Sequence, residues 1–355
     1  MAERPGGDQG ALRPRPLEVG MTVSEFVDRA FLSSTAGELA AAADLLVTEV
    51  LRDPETVVGL SLDAEILASG AGVAALGPLL RGGYVDWAAV TGENLYYDAL
   101  HSLGIPFVHA PQTPAAEYED CGGGVVVRSV DHAAGERGLR ELLGVVEFQH
   151  VMGSAEMNDR LGAPLRAREK AVGVEYPALL TTAHEYAVPL FDPAPADNPL
   201  GSLMARLQLV GSRLAIDPSV DLNQAAAILN GAFTRGASCA IWCLGRGAAS
   251  NFVLGLPRHL RALIGEERAP GYRVRIRMAG RSHPLPTVHE RMPSSAAETI
   301  DLAVSTDLTV ALPLLTAYIL DRVPPRPPKR LGSRRGEMLD RLHQDHAQTV
   351  LRRPQ

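Results

Sequence analysis

Residues able to do chemistry in this 355-residue chain cluster where an apolar run gives way to small or polar residues. They are Ser61 and Asp63 with Ser69-Gly70, then Thr91-Gly92-Glu93-Asn94, then Asp197 with Ser202. Gly245-Arg246-Gly247 with Asn251, the stretch 277–283 with Arg277, Arg281 and His283, and Thr306-Asp307 complete the set. In an open α/β sheet, ligands bind outside the carboxyl ends of the strands, so these are the positions a ligand would meet. Glycine-rich turns let phosphates approach backbone N–H groups, and an acid such as Asp307 or Asp63 can take ribose hydroxyls; together they suit a dinucleotide. The alternative is structural: Gly245 and Gly247 shape a tight turn, and Asp307 caps the helix that follows. His283 and His289, in the loop 280–293, are acid/base candidates, against the commoner lot of a loop histidine as a structural or exposed residue.

Other chemistries lack their motifs. The chain has no G-x-S-x-G, no H-E-x-x-H and no phosphate loop of the GKS/T type. His343 and His346 have metal-like spacing but fall in the basic tail, where they read as a solvated helix face, and no metal site is expected. Cys121, Cys239 and Cys243 make no disulfide framework; the last two lie in an apolar run and read as core thiols.

The elements that must position these residues follow from periodicity. Residues 22–52 read as helical up to Asp53-Pro54. Strands are expected at 57–60, 87–90, 188–191, 237–244, 272–278 and 304–310, with short ones at 125–127 and 214–216. Helices are expected at 68–80, 97–103, 139–151, 175–183, 203–210, 220–231, 251–263 and 311–321, while 153–173 is polar and loosely patterned. In 272–278, Arg273, Arg275 and Arg277 alternate with Val274, Ile276 and Met278, a strand with one wet or ligand-lined face. Alternating strands and helices predict an α/β fold: a Rossmann-like, doubly wound, mainly parallel sheet. One domain over 22–322 is expected, with a disordered lead at 1–21 and a basic Pro/Arg-rich tail at 323–355 that reads as a solvated extension or, alternatively, as a docking tail for another subunit or an acidic partner.

Composition excludes several classes. A net charge of −7 and 5% aromatic residues argue against nucleic acid as a partner. No run of apolar residues is long enough to span a membrane and the first residues lack a signal peptide's apolar core, so a cytoplasmic location is expected.

The order strand, small-residue turn, helix, strand and Thr91-Gly92-x-Asn94-Leu95-x-x-Asp98 resembles the deoxyhypusine synthase family. So do Val188-Pro189 followed by Pro193-Ala194-Pro195-Ala196-Asp197-Asn198-Pro199-Leu200-Gly201, then Leu244-Gly245-Arg246-Gly247. The fourth landmark is Ser305-Thr306-Asp307-Leu308-Thr309 with Ala311-Leu312-Pro313-Leu314-Leu315, and the likeness runs from about residue 23 to 318. It implies a homotetramer with bound NAD that oxidises spermidine and transfers a butylamine unit to a protein lysine or to putrescine. By position, NAD contacts would fall on Ser61, Ser69, Gly70, Thr91, Gly92, Glu93, Asp197, Gly245, Gly247, Ala279, Asp307 and Thr309, with Asp63 a further candidate from the residues themselves.

The catalytic half of the family pattern is missing. Where the family has Trp-Gly-Lys before the last strand, with the lysine forming a covalent imine, 292–303 contains no lysine. Lys170 and Lys329 are the only two in the chain, and Asn251-Phe252 stand in place of paired histidines. Arg281, His283, His289 and Arg291, behind Arg277, replace an acidic loop. The expectation is an NAD-dependent enzyme whose hydride chemistry is turned to a non-polyamine, anionic small molecule. Arg277, Arg281 or Arg291 would bind it, with His283 or His289 and Asp197 in the catalytic set. A polyamine transferase and a non-catalytic homologue are the alternatives.

Overall fold

The computed structural model describes residues 12, 14–63, 66–109, 118–120, 125–280 and 299–352. Its strands are β1 (Val57–Leu62), β2 (Trp87–Val90), β3 (Phe107–His109), β4 (Tyr118–Asp120), β5 (Val125–Arg128), β6 (Val151–Met152), β7 (Leu190–Phe191), β8 (Ala215–Ile216), β9 (Cys239–Leu244), β10 (Val274–Ala279) and β11 (Ile300–Ser305). Its α-helices are α1 (Val23–Ala30), α2 (Ser34–Leu45), α3 (Gly77–Arg81), α4 (Gly92–Ser102), α5 (Ser129–Leu143), α6 (Ser154–Val172), α7 (Leu179–Tyr186), α8 (Pro199–Leu209), α9 (Pro218–Phe233), α10 (Ala248–Ile264), α11 (Leu308–Arg322) and α12 (Arg335–Arg352).

Six strands form the main sheet in the order β11-β10-β9-β1-β2-β7, and every pairing is parallel. From β1 the chain builds outward through β2 to β7, then returns to the other side of β1 for β9, β10 and β11. The order therefore reverses between β1 and β9, the crevice where doubly wound sheets hold ligands. Strand residues point alternately to two cores. Val58, Leu60, Leu62, Ala240, Trp242, Leu244, Ile276 and Met278 face one, into which α2, α3, α4 and α11 pack. Val57, Trp87, Ala89, Cys239, Ile241 and Cys243 face the other, under α9, α10 and α12. Burying such a side chain stabilises by about 1.5–3 kcal/mol, so both faces are committed to packing.

Several elements differ from the sequence expectation. α4 starts at Gly92, because Thr91 is its extended N-cap and the polar stretch after it is already helical. The helix expected at 139–151 is α5, which ends at Leu143 and is followed by a 3-10 turn and β6. The loosely patterned 153–173 is the 19-residue α6, with Gly162 and Pro164 inside it and polar Asn158 and Glu169 on its buried face. The last strand ends at Ser305, because Asp307 already caps α11.

The tail is not a solvated extension. Its helix α12 buries Met338, Leu342 and Asp345 against α9 and α10. Asp345 takes bonds from Asn230 (2.8 Å) and Arg341 (3.2 Å), and from Arg268 (2.5 Å). His346 is bonded to the Leu263 carbonyl (2.8 Å) rather than facing solvent as half of a metal pair. Ahead of α12, Lys329 reaches Asp86 (3.2 Å) at the amino end of β2, and Arg326 donates to the carbonyls of Pro54 (2.9 Å) and Thr56 (2.8 Å).

Candidate active site at the carboxyl edge of the sheet

Four helices begin at the carboxyl edge, and each start is answered by a side chain of the protein itself. A helix start exposes unpaired N–H groups and a partial positive charge, which favours a carboxylate there. At the β1/β9 switch point, Asp63 accepts from the N–H groups of Ala249 (2.8 Å) and Ser250 (2.9 Å), closing the start of α10. Gly247 makes this possible: a Cβ there would stand 2.6 Å from Asp63 Oδ1. Burial pushes the Asp63 carboxyl above its ordinary value, and the bonds from Ser250 and Ala249 oppose that rise.

Asp192, directly after β7, does the same for α4. Its carboxylate accepts from the Ala194 N–H (3.1 Å), from Asn198 Nδ2 (3.1 Å) and from the Gly92 N–H. A Cβ on Gly92 would lie 2.3 Å from Asp192 Oδ2 and 2.1 Å from Asn198 Nδ2. The Asp192 N–H donates to Ser154 Oγ (2.7 Å), whose own backbone N–H donates to Asp221 (2.8 Å). Burial raises the Asp192 carboxyl to about 6, and the nearby Asp221 adds to the rise. Asn198 caps α8 by accepting from Gly201 (2.9 Å), and Asp307 caps α11 by accepting from the Thr309 N–H (2.8 Å) and hydroxyl (2.7 Å). The bonds from Thr309 hold the Asp307 carboxyl below its ordinary value.

The expected site residues divide accordingly. Ser69, Gly70, Asp197, Asp307 and Thr309 are exposed, and Thr91, Glu93, Gly245 and Gly247 are half-buried along the edge. Ser61 is fully buried against Cys243 beneath α10. Ala279 and Gly92 are buried as well. Arg277 departs from its expected role: it is 6% exposed, and its Nε donates to Asp301 (3.0 Å), which also binds Arg275 (2.9 Å). Arg273, at the other end of the strand, pairs with Glu49 (2.7 Å). The arginine face of β10 is thus engaged in ion pairs, part-buried at Arg275 and Arg277 and exposed at Arg273. Arg281, His283, His289 and Arg291 lie outside the described residues. Cys239 and Cys243 are free, buried thiols, with burial pushing Cys243 up to about 12.

The family motif on α4 turns out to be scaffolding. Asn94 Oδ1 accepts from the N–H groups of Ile66 (3.2 Å) and Leu67 (3.1 Å), and its Nδ2 donates to Thr91 (2.8 Å). Asp98, fully buried, accepts from the N–H groups of Leu179 (2.9 Å) and Leu180 (2.7 Å) at the start of α7.

Similarity places this arrangement. The deoxyhypusine synthase family model matches residues 25–283. The chain belongs to the deoxyhypusine synthase family. It is 35% identical to the "Deoxyhypusine synthase-like protein" of Nostoc sp. strain PCC 7120, over 94% of this chain and 91% of that one. The protein of the same description from Thermosynechococcus vestitus is also 35% identical, over 96% and 88%. "Probable deoxyhypusine synthase 1" of Methanosarcina mazei is 24% identical, over 86% and 93%. Among solved structures, the ternary complex of AgrE with ornithine and NAD+ aligns at a TM-score of 0.45 and 14% identity, over 82% of this chain and 34% of that chain, too slight a likeness to build on. The family includes the synthases, which are transferases, so family membership supports an enzyme. The fold is the α/β parallel sheet expected. Among the described residues no helix is long and apolar enough to cross a membrane.

The groups present fit part of an NAD molecule. Exposed Asp197 and Asp307 suit ribose hydroxyls, and the Ser69-Gly70 turn is open to a phosphate. The start of α10 does not fit a pyrophosphate, because the Asp63 carboxylate already fills it. Asp192, Asp221 and Asp98 were not anticipated as part of this edge. The expected strand ends at Phe191, so the strand-end rule points at Asp192 directly; the proline-rich turn beyond it drew the reading on to Asp197.

Proposed function

We propose that this protein is an NAD-dependent enzyme of the deoxyhypusine synthase family that carries out hydride transfer on a small molecule without a lysine imine. The observation that carries the reading is the place of the two lysines. Lys329 is held by Asp86 at the amino end of the sheet, and Lys170 is exposed on α6. Neither is at the carboxyl edge, where an imine-forming amine would have to stand.

Asp197, Asp307, Ser69 and Gly70 would hold the cofactor, with Glu93 and Thr91 beside them on the β2–α4 turn. Bound NAD would supply the hydride acceptor. The chain's own part is to hold that turn in place: Asp192 ties Gly92 to the α8 cap, and Asn94 ties Thr91 to the loop after β1. Among the predicted substrate groups, Arg277 is withdrawn, since Asp301 already satisfies its charge. An anionic substrate would be held by Arg281 and Arg291, with His283 or His289 as acid/base, and a homotetramer in the cytoplasm is part of the same reading.

The test is calorimetric titration of the pure protein with NAD, followed by borohydride reduction in the presence of NAD and spermidine. The expected result is NAD binding with no butylamine adduct on either lysine by mass spectrometry. An adduct would restore the polyamine transferase, and no NAD binding would leave a non-catalytic homologue.

A further inference from the structure

Beside α4, outside the switch-point crevice, lies a cavity of about 350 Å³. That is within the range of small-molecule sites, about 300–1,000 Å³. Leu67 and Val73 line it on one side, Ile105 and Phe107 on the other, with Asp98 and His101 along the α4 wall. Ser69 and Gly70 also border it.

Away from α4 the wall is apolar at Leu67, Val73, Ile105 and Phe107, with Ser69 and His109 as its polar side chains. Among the described residues Asp98 is the one fully buried carboxylate of the lining, and no lysine or arginine lines the cavity. Each Asp98 oxygen accepts one backbone N–H, which leaves each a further lone pair. Its surroundings add negative charge. Glu169 on α6 is buried next to it, bonded to Ser102 (2.9 Å), Thr181 (2.8 Å) and the Ala178 N–H (2.9 Å). Arg166, also on α6, is turned to Glu169 (3.0 Å) and Glu185 (3.4 Å). His101 is bonded to the Tyr176 carbonyl (3.2 Å), and His109 of β3 lies at the far end of the lining.

We propose that this cavity binds a small apolar molecule carrying a single cationic nitrogen, its ammonium on Asp98 and its body between Leu67, Val73, Ile105 and Phe107. A polyamine suits it less well, because among the described residues the wall away from α4 offers no second acid. The inference goes beyond the cofactor reading: the two share only the Ser69-Gly70 turn, while Leu67, Val73, Asp98, Ile105 and Phe107 belong to the cavity alone.

Burial holds the Asp98 carboxyl up at about 6, with Glu169 adding to the rise, so the anion that a cation needs is present at pH 7.5 and largely lost at pH 5. The titratable and charged groups around it are Glu169 and Arg166 from α6, His101 from α4 and His109 from β3.

The experiment compares three probes of one shape on the full-length protein by equilibrium dialysis, with and without NAD: phenethylamine, 2-phenylethanol and phenylacetate. At pH 7.5 the amine is expected to bind at least tenfold tighter than the alcohol or the acid, and to lose most of that advantage at pH 5. Asp98→Asn should bring the amine down to the alcohol's level. Val73→Trp, which fills the cavity from the opposite wall, should abolish binding of the amine while far-ultraviolet circular dichroism stays unchanged. Equal binding of the three probes, no binding of the amine, or amine binding that survives Val73→Trp would overturn the proposal. Should Asp98→Asn fail to fold, the probe series and Val73→Trp decide alone. Asp98 and Val73 are not among the residues proposed to hold NAD, so the NAD titration is read separately on the same variants and either idea can fail without the other.

Discussion

At the amino end of the sheet, the buried carboxylate of Asp86 is met by Lys329 and lies near Arg326. At the carboxyl end, the half-buried carboxylate of Asp63 and the buried one of Asp192 are met by backbone N–H groups and, for Asp192, by the Asn198 amide. Burial pushes all three carboxyls up, but a full cation opposes the rise at one end and a partial charge at the other. An ion pair of this kind locks two segments, here the tail and the start of β2. A helix cap can be exchanged for a ligand's anion, because backbone donors accept any oxygen of the right geometry. One end of the sheet is thus fastened, and the other is closed by groups a ligand could replace.

The largest effect should come from the fastened end. Lys329→Met leaves Asp86 buried without its partner and is expected to cost about 3–5 kcal/mol, read from urea unfolding. A loss below about 1 kcal/mol would mean that Arg326 alone suffices and the contrast with the other end fails.

At the closed end, Gly247→Ala places a Cβ against Asp63 Oδ1 and should cost about 1–3 kcal/mol by forcing the cap aside. Asp63→Ala should cost less, about 1 kcal/mol, the usual loss of a helix cap. It sharpens the comparison in another way, since it bares the start of α10. Inorganic phosphate, titrated by phosphorus NMR, is expected to bind Asp63→Ala and not the parent; no gain would show that the crevice is closed by more than the carboxylate.

The smallest effect is on pH dependence. Asp192 stands at about 6 in the folded protein against an ordinary value near 3.8. A carboxyl raised in the fold contributes stability fully below pH 3.8 and loses it as pH rises through 6. This group therefore favours the folded state more at pH 5 than at pH 7. Asp192→Asn should reduce the difference between unfolding midpoints at those two pH values, while Lys329→Met should enlarge it, because without the cation burial pushes the Asp86 carboxyl further up.

How much of this was legible beforehand depended on what each element buries. β2 was placed to the residue, and β9 lies inside its expected span, because Trp87–Val90 and Cys239–Leu244 are continuous apolar runs buried on both faces. α6 was missed because its buried face carries Asn158 and Glu169, and because Gly162 and Pro164 look like breaks. The tail was misjudged for a like reason: Met338 and Leu342 are a thin stripe in a charged sequence, and ion pairs and caps supply much of the docking. At the site, sequence order identified the edge residues, but not which were already engaged by the chain. Asp63 and Asp307 read equally well as ribose acceptors or as caps, and the structure uses both as caps. Arg277 looked like a ligand group because its partner, Asp301, is 24 residues away on β11.

The pinning of Lys329 has a practical side. Lys170 is left as the one exposed lysine side chain of the folded molecule. Among lysine side chains, an amine-directed dye or cross-linker will therefore mark the outer face of α6 alone. Loss of that selectivity on heating would report the release of the tail directly, before any change in helix content.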